Sequence, residues 1–383
     1  MSKVYLKDVV TRIKDKVDKD NTDLEYYIGG EHFDNGEIQI TKKGVIAGST
    51  IGPAFHMRFV PGDVLLMSRN PHLRKAGVVD FEGICSDVSY VCRTKNENVL
   101  MQKFLPFIFQ SDDFWKFAEE NKKGSTNFFL NWSDFEKYEF NLPPIETQRK
   151  LVEILWSFED TKTAYKKLLD KTDELVKSQF IEMFGLPSEN RHGYEVGLVG
   201  DVVCDVHYGT SKKASDDGKY TYLRMNNITF GGELDLTDTK RINVSDKDLA
   251  GCAVKRGDVL FNRTNSRDLV GKTCVFNLDE PMVIAGYIIR LRMNGCVIPE
   301  YLSTFLNLDS SKKMLYSMAK GAVGQANINA QEVQAIELVI PPREAQLPFK
   351  SIVEQSDKSK FELKQVIADI DNLSKALMQQ ELS

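Results

Sequence analysis

Two polar loops carry the side chains best suited to chemistry in this chain. The first, Ser68-Arg69-Asn70-Pro71-His72-Leu73-Arg74-Lys75, follows GDVLLM; the second, Asn262-Arg263-Thr264-Asn265-Ser266-Arg267, follows GDVLF. Arginine donates two hydrogen bonds to guanine, asparagine pairs with adenine, and lysine and serine reach phosphates, so these types together suit contact with DNA. A solvated turn has a similar composition, but both copies place Arg and Asn at corresponding points. The candidates are Arg69, Asn70, Arg74, Lys75, Arg263, Asn265 and Arg267. Lys212 and Lys213, beside Tyr208 and ahead of Lys219, Tyr222 and Arg224, form another basic and aromatic cluster, balanced between phosphate contact and a solvated face. Gln325 and Asn327 either contact DNA or cap the turn before the last strand, and the cap is the favoured reading.

No residues for bond-making chemistry stand beside these loops. The phosphate-loop pattern G-x-x-x-x-G-K-[ST] is absent, as are a G-x-S-x-G elbow and an H-E-x-x-H helix. NPHL, Asn70 to Leu73, is the nearest approach to an adenine-methyltransferase signature, and it lacks the second proline and the aromatic that would stack on a flipped base. Six scattered cysteines form no C-x-x-C pair and do not join the five histidines at zinc-ligand spacing, so they are expected to be buried, reduced thiols with no metal. The 383 residues, 27% of them charged, suffice for two or three domains with real cores. No signal-type or membrane-length apolar run is present, which predicts a cytoplasmic protein. A net charge of −5 argues mildly against a simple nucleic-acid binder but leaves room for a local basic face.

The elements that must position the loops are written twice. PPIETQ, Pro143 to Gln148, returns 198 residues later as PPREAQ, Pro341 to Gln346. LKDVV (Leu6 to Val10) pairs with VGDVV (Val199 to Val203), and PGDVLL (Pro61 to Leu66) with RGDVLF (Arg256 to Phe261), in the same order and at nearly the same offset. The chain therefore divides into two copies of one unit, each a globular part followed by a long helix. Boundaries fall at 1–142, 143–185, 186–340 and 341–383.

Each repeated motif opens a run with apolar residues at alternating three- and four-residue steps. The first seam includes Leu151, Ile154, Phe158, Tyr165, Leu168 and Leu175; adding the same offset gives Phe349, Ile352, Leu363, Val366, Ile370 and Leu373. Pro-Pro suits a helix start, and Glu146 near the third helical position faces the positive end of the helix dipole. Gln148 and Gln346 either sit in that first turn or serve a partner-binding surface. A helix of about 36 residues is about 54 Å long, more than one small domain covers. Antiparallel pairing of the two helices would give a pseudo-two-fold dumbbell. The globular halves read as mixed α+β, with short strands such as DVSYVC and KTCVFN and more helical stretches such as QKFLPFIFQSDDFWKFAEE and PEYLSTFLNLDSSKKMLYSMA.

This arrangement resembles the DNA sequence-specificity subunit of Type I restriction-modification systems. The matching pieces are GDVLLMSRN and GDVLFNRTN, GSTNFFLNW and GAVGQANIN, NLPPIETQ and VIPPREAQ, SQFIEMFG, and GTSKK followed by YLRMNNI; together they span nearly the whole chain. GSTNFFLN and the stretch around YYIGGEHF match the pattern only loosely. The resemblance implies a non-catalytic reader with two target recognition domains, each binding one part of a split DNA target. Its long helices would set the spacing and dock two methyltransferase subunits, which carry S-adenosylmethionine, while restriction subunits using ATP and Mg²⁺ can join; this chain itself would hold no cofactor. The alternatives are a structural coiled-coil adaptor with protein-binding ends, which predicts no salt-dependent DNA affinity, and a single-chain nuclease or methyltransferase active without partners.

Overall fold

The computed structural model describes residues 2–320 and 325–382; Gly321 to Gly324, the start of GAVGQANIN, lie outside them. The chain divides into two compact units, residues 1–166 with 364–383, and residues 167–363. Each unit thus holds one globular part and a stretch of both long helices.

In the first unit an antiparallel sheet runs in the order Val10–Ile13, Ser89–Thr94, Val64–Met67, Ala76–Val78. Along Val64–Met67 the side chains alternate between two cores. Val64 and Leu66 face the helices, and Leu65 and Met67 face a second sheet, as the two-residue strand period requires. That second sheet runs Gly44–Val45, Tyr26–Ile28, Gly83–Ser86, Phe55–Phe59, with its middle pair parallel. A two-stranded ribbon, Ser2–Tyr5 with Glu139–Leu142, closes the globular part.

The second unit uses the same order. Its antiparallel sheet is Val203–Tyr208, Ile288–Met293, Asp258–Asn262, Thr273–Phe276. The other sheet is Lys240–Ile242, Tyr220–Leu223, Met282–Ile284, Ala253–Val254, again with a parallel middle pair. The ribbon is Glu195–Leu198 with Glu337–Ile340. Each expected helical stretch is two helices: Leu105–Gln110 then Asp112–Glu120, and Pro299–Asn307 then Asp309–Met318. Ser111 makes the first break by accepting from the Phe114 N–H, an N-cap bond that starts a new helix.

The repeated motifs have local causes. In GDVL the glycine, Gly62 or Gly257, sits at φ +90° or +88°, a backbone position that disfavours a Cβ. The aspartate then turns inward. Asp63 accepts from the Val60 N–H at 2.8 Å and from Arg93; Asp258 accepts from the Lys255 N–H at 2.9 Å and from Arg292 at 2.7 and 2.8 Å. In LKDVV and VGDVV, Asp8 and Asp201 accept from the Tyr5 and Leu198 N–H groups and cap a single helical turn.

The long helices are Ile145–Phe184 and Arg343–Leu382, 40 residues each, or about 60 Å. Within the first unit their stretches run antiparallel, with Leu151, Val152 and Leu155 sharing a core with Met378 and Leu382. Within the second, Phe180 and Phe184 pack against the Phe349 ring at 5.4 and 5.5 Å. Leu151, Phe349 and Ile370 are buried, and Phe158, Tyr165, Ile352 and Leu363 are half-buried. The predicted seam needs correction at Ile154, Leu168, Leu175, Val366 and Leu373, which are 39–57% exposed. The inward face instead follows 151, 155, 158, 162, 165, 169, 172, 176 and, equivalently, 349, 353, 356, 360, 363, 367, 370, 374. Half of the expected positions move by one residue, about 100° around a helix: adjacent apolar pairs such as Ile154-Leu155, Leu168-Leu169 and Val366-Ile367 fit either register, and the inward positions 162 and 360 are lysines.

Four of the cysteines are buried, but Cys204 and Cys296 are exposed. Cys204 sits at a bulge in its strand, and Cys296 follows a tight turn closed by Asn294. Trp115 is buried, whereas Trp132 and Trp156 lie half-buried against the first core.

Candidate nucleic-acid interface

In each unit the polar loop after GDVL lies beside the glycine-led segment that sequence reading singled out separately. In the first unit the Asn70 N–H donates to the Phe128 carbonyl at 2.9 Å and the Leu130 N–H to the Ser68 carbonyl at 2.9 Å. In the second, Thr264–Asn265 pairs with Ala326–Asn327, and the Ile328 N–H donates to the Arg263 carbonyl at 2.9 Å. Backbone pairing therefore presents two loops as one surface.

The arginines on these surfaces rest on rings. The Arg69 guanidinium lies 5.4 Å from the Phe129 ring, Arg263 lies 4.9 Å from Tyr208, and Arg267 lies 4.6 Å from the exposed Tyr316. An arginine held over a ring keeps donors free for a third group. Arg69 and Arg267 are exposed, and Arg263 is half-buried. Tyr208 is fixed in turn, its hydroxyl accepting from the Ala330 N–H at 2.9 Å.

Other expected contacts are already engaged. Arg74 is ion-paired with Asp112, and Lys75 donates to the Gly30 carbonyl at 2.6 Å. Asn70 and Arg74 adopt left-handed backbone at φ 51° and 49°, flanking the turn Pro71–Leu73; asparagine tolerates this conformation best among non-glycine residues. Asn265 donates to Asn262 Oδ1 at 2.9 Å and accepts from the Ser266 N–H at 2.8 Å, so it braces its own loop. The cluster Lys212, Lys213, Arg224 does not act as one group. Lys212 pairs with Asp248 at 2.7 Å and Arg224 with Asp238 at 2.9 Å, while Lys213 is exposed without an ion pair among the described residues. Gln325 is exposed, and the Asn327 side-chain oxygen accepts from Thr264 Oγ1 at 3.1 Å, tying the segment to the loop.

Sequence reading missed Phe128 and Phe129, as well as Lys122, which lies 4.3 Å from the Phe128 ring. The signal was the aromatic pair inside GSTNFFLNW, a segment that matches the expected pattern only loosely.

Gln148 and Gln346 are not a partner surface: both are fully buried. Gln148 accepts from the Met101 N–H at 3.0 Å and donates to the Val99 and Pro143 carbonyls at 2.8 Å each. Gln346 accepts from the Ile298 N–H at 2.8 Å and donates to the Cys296 and Pro341 carbonyls at 2.9 and 2.7 Å. With three of their four bonding positions used by backbone, these side chains clamp each helix start to its globular part.

Among the described residues, no cluster of His, Cys, Asp and Glu could hold a metal ion, and no helix is long and apolar enough to cross a membrane.

The chain shares 23% identity over 185 residues with the Type I restriction enzyme EcoKI specificity subunit of Escherichia coli K12, covering 46% of this chain and 40% of that one. It shares 25% identity over 189 residues with the putative type I restriction enzyme MjaX specificity subunit of Methanocaldococcus jannaschii, covering 48% and 44%. Each match therefore spans less than half of the curated relative. Two solved structures share the fold. One is the S subunit of a Type I restriction-modification system from M. genitalium, at 12% identity and TM-score 0.53 over 100% of this chain and 96% of that one. The other is a chain from a structure of type I R-M complex assembly and conformational transition, at 19% identity and TM-score 0.54 over 99% and 97%. The family model described as the Type I restriction modification DNA specificity domain matches twice, at residues 2–174 and 193–370. With nearly the whole chain covered by two copies of that domain, the protein belongs to the Type I restriction-modification DNA specificity family.

Proposed function

We propose that this chain is a non-catalytic cytoplasmic specificity subunit that reads a split DNA target. Residues 1–142 and 186–340 each read one half-site, and the helices of 143–185 and 341–383 form an antiparallel coiled coil between them, the whole a pseudo-two-fold repeat. The helices set the spacer and recruit two methyltransferase subunits carrying S-adenosylmethionine. ATP- and Mg²⁺-dependent restriction subunits join where restriction accompanies modification. The observation that carries this reading is the duplicated surface: in both units the loop after GDVL and the glycine-led segment lie together and hold an arginine over a ring. Such arginines supply both base readout and phosphate contact.

The test is exchange of residues 1–142 for the corresponding domain of another family member. One half of the recognised sequence should change and the other stay, with affinity falling steeply as salt rises. A change in both halves or in neither, or an affinity indifferent to salt, refutes the two-reader model.

A further inference from the structure

Each unit buries one lysine at the meeting of three segments. Lys162 is 4% exposed, and its Nζ lies 2.8 Å from Glu159, 3.1 Å from Asp371 and 3.8 Å from Glu37. Lys360 is 8% exposed, and its Nζ lies 2.9 Å from Asp173, 3.2 Å from Glu233 and 3.3 Å from Asp357. The two clusters match residue for residue along the repeat, Glu159 with Asp357, Asp371 with Asp173 and Glu37 with Glu233. In each, one carboxylate comes from the lysine's own helix, one from the other long helix and one from the globular part.

Burial pulls both ammonium groups down, but the carboxylates around them more than restore the charge, so each titrates above the ordinary lysine value. Ion clusters of this kind contribute little net stability compared with apolar packing; their best attested role is to select one register among several. A purely apolar seam repeats every heptad and tolerates a slip. One ammonium among three carboxylates from three segments does not.

We infer that Lys162 and Lys360 are positioning residues, each fixing the height at which a globular part is fastened to its helix pair and so narrowing the spacer length the protein accepts. This rests on the split-target reading above.

The test replaces both clusters by apolar pairs in the full chain, Lys162→Met with Glu159→Leu and Lys360→Met with Asp357→Leu. The remaining carboxylates are partly exposed and keep their water. Binding is read with duplexes that hold the half-sites selected by the unaltered chain and vary the spacer by single base pairs. The unaltered chain should reject a one-base-pair change by about tenfold or more. The quadruple variant should keep its half-site bases and reject that change by less than about threefold, and Lys162→Arg with Lys360→Arg should retain most of the discrimination. Undiminished discrimination in the quadruple variant overturns the inference. If that variant fails to fold, the swap Lys162→Asp with Asp371→Lys, made together with Glu159→Leu so that no carboxylate faces the new aspartate from its own helix, keeps the cross-helix pair and breaks the contact with Glu37; it too must relax the spacer. Spin labels at exposed positions 160 and 372, in the first unit, give a reading without DNA. Their distance distribution should be narrow in the unaltered chain and broad in the variant, and an equally narrow one defeats the inference whether or not the chain reads a split target.

Discussion

The two units agree where they meet the helices and differ where they face outward. Gln148 and Gln346 make three equivalent backbone bonds, Lys162 and Lys360 gather three carboxylates at equivalent positions, and Asp63 and Asp258 each take the equivalent arginine, Arg93 or Arg292. On the outer loops, Arg69 rests on a ring of the glycine-led segment while Arg263 rests on Tyr208 of the first sheet strand. Attachment is thus held constant while the surface differs, as the proposed two-reader function requires.

The interior also departs from symmetry, and the largest effect should follow at Arg290. Arg290 in the second unit is 2% exposed. It donates to Asp205 at 2.7 Å and to the carbonyls of Ala250 and Ala253. The matching place in the first unit, read from the paired strands, is Val91. Arg290→Leu should cost about 4 kcal/mol, since it removes three hydrogen bonds given by one buried, charged donor, and should lower the melting temperature measured by calorimetry. Val91→Leu, a small volume change, should cost about 1 kcal/mol. Equal losses would mean that the second unit does not depend on its arginine.

Gln148→Leu and Gln346→Leu test the opposite side of the comparison. Each strands a buried N–H and two carbonyls, a loss of about 3 kcal/mol. If the clamps are equivalent, denaturant titration should place the two variants within about 1 kcal/mol of each other; a wider gap would show that one helix start is held by other contacts.

These cases explain what was legible beforehand. Repeats, strands and helix starts depend on local residue types, and GDVL, LKDVV and PPxExQ each name their own turn or cap. An apolar-only pattern sets the helix seam one step out of place, because pairs such as Ile154-Leu155 fit either register and the inward lysines fit neither. Burial of Lys162 and Lys360 depends on Glu37, Glu233 and the other helix, far away in sequence, and nothing local announces it. The same holds for the loop arginines. In sequence Arg74 is as available as Arg69, and only the fold sets Asp112 beside it.

Lys312 offers a smaller, pH-dependent contrast confined to the second unit. Burial lowers it first and Lys177 and Lys272 add repulsion, so its ammonium titrates at about 7, against about 10.4 in an unfolded chain. Between those values the unfolded chain binds the extra proton, so this group makes stability rise with pH; below pH 7 the full penalty remains. Lys312→Met loses one bond to the Gly271 carbonyl but removes that penalty. It should gain about 2 kcal/mol at pH 6, and the gain should vanish and reverse towards pH 10. Melting curves at the two pH values check the sign.

The smallest stability effect should accompany the sharpest functional one. Arg69→Ala and Arg263→Ala each remove a cation held over a ring near the surface, a contact of about 0.5–1 kcal/mol, so melting should barely move. Under the proposed reading each variant nonetheless loses base or phosphate contact. A lost phosphate contact lowers the magnitude of the salt slope by about 1 and weakens all sequences alike; a lost guanine contact costs about 1–3 kcal/mol at one position and relaxes specificity there. Because the two arginines lean on rings from different segments, they need not fail in the same way. If each changes only its own half of the target, the outer surfaces are independent readers on a common frame. If Arg69→Ala relaxes bases in both halves, the units are coupled through more than their shared helices, and the division between constant attachment and variable surface breaks down.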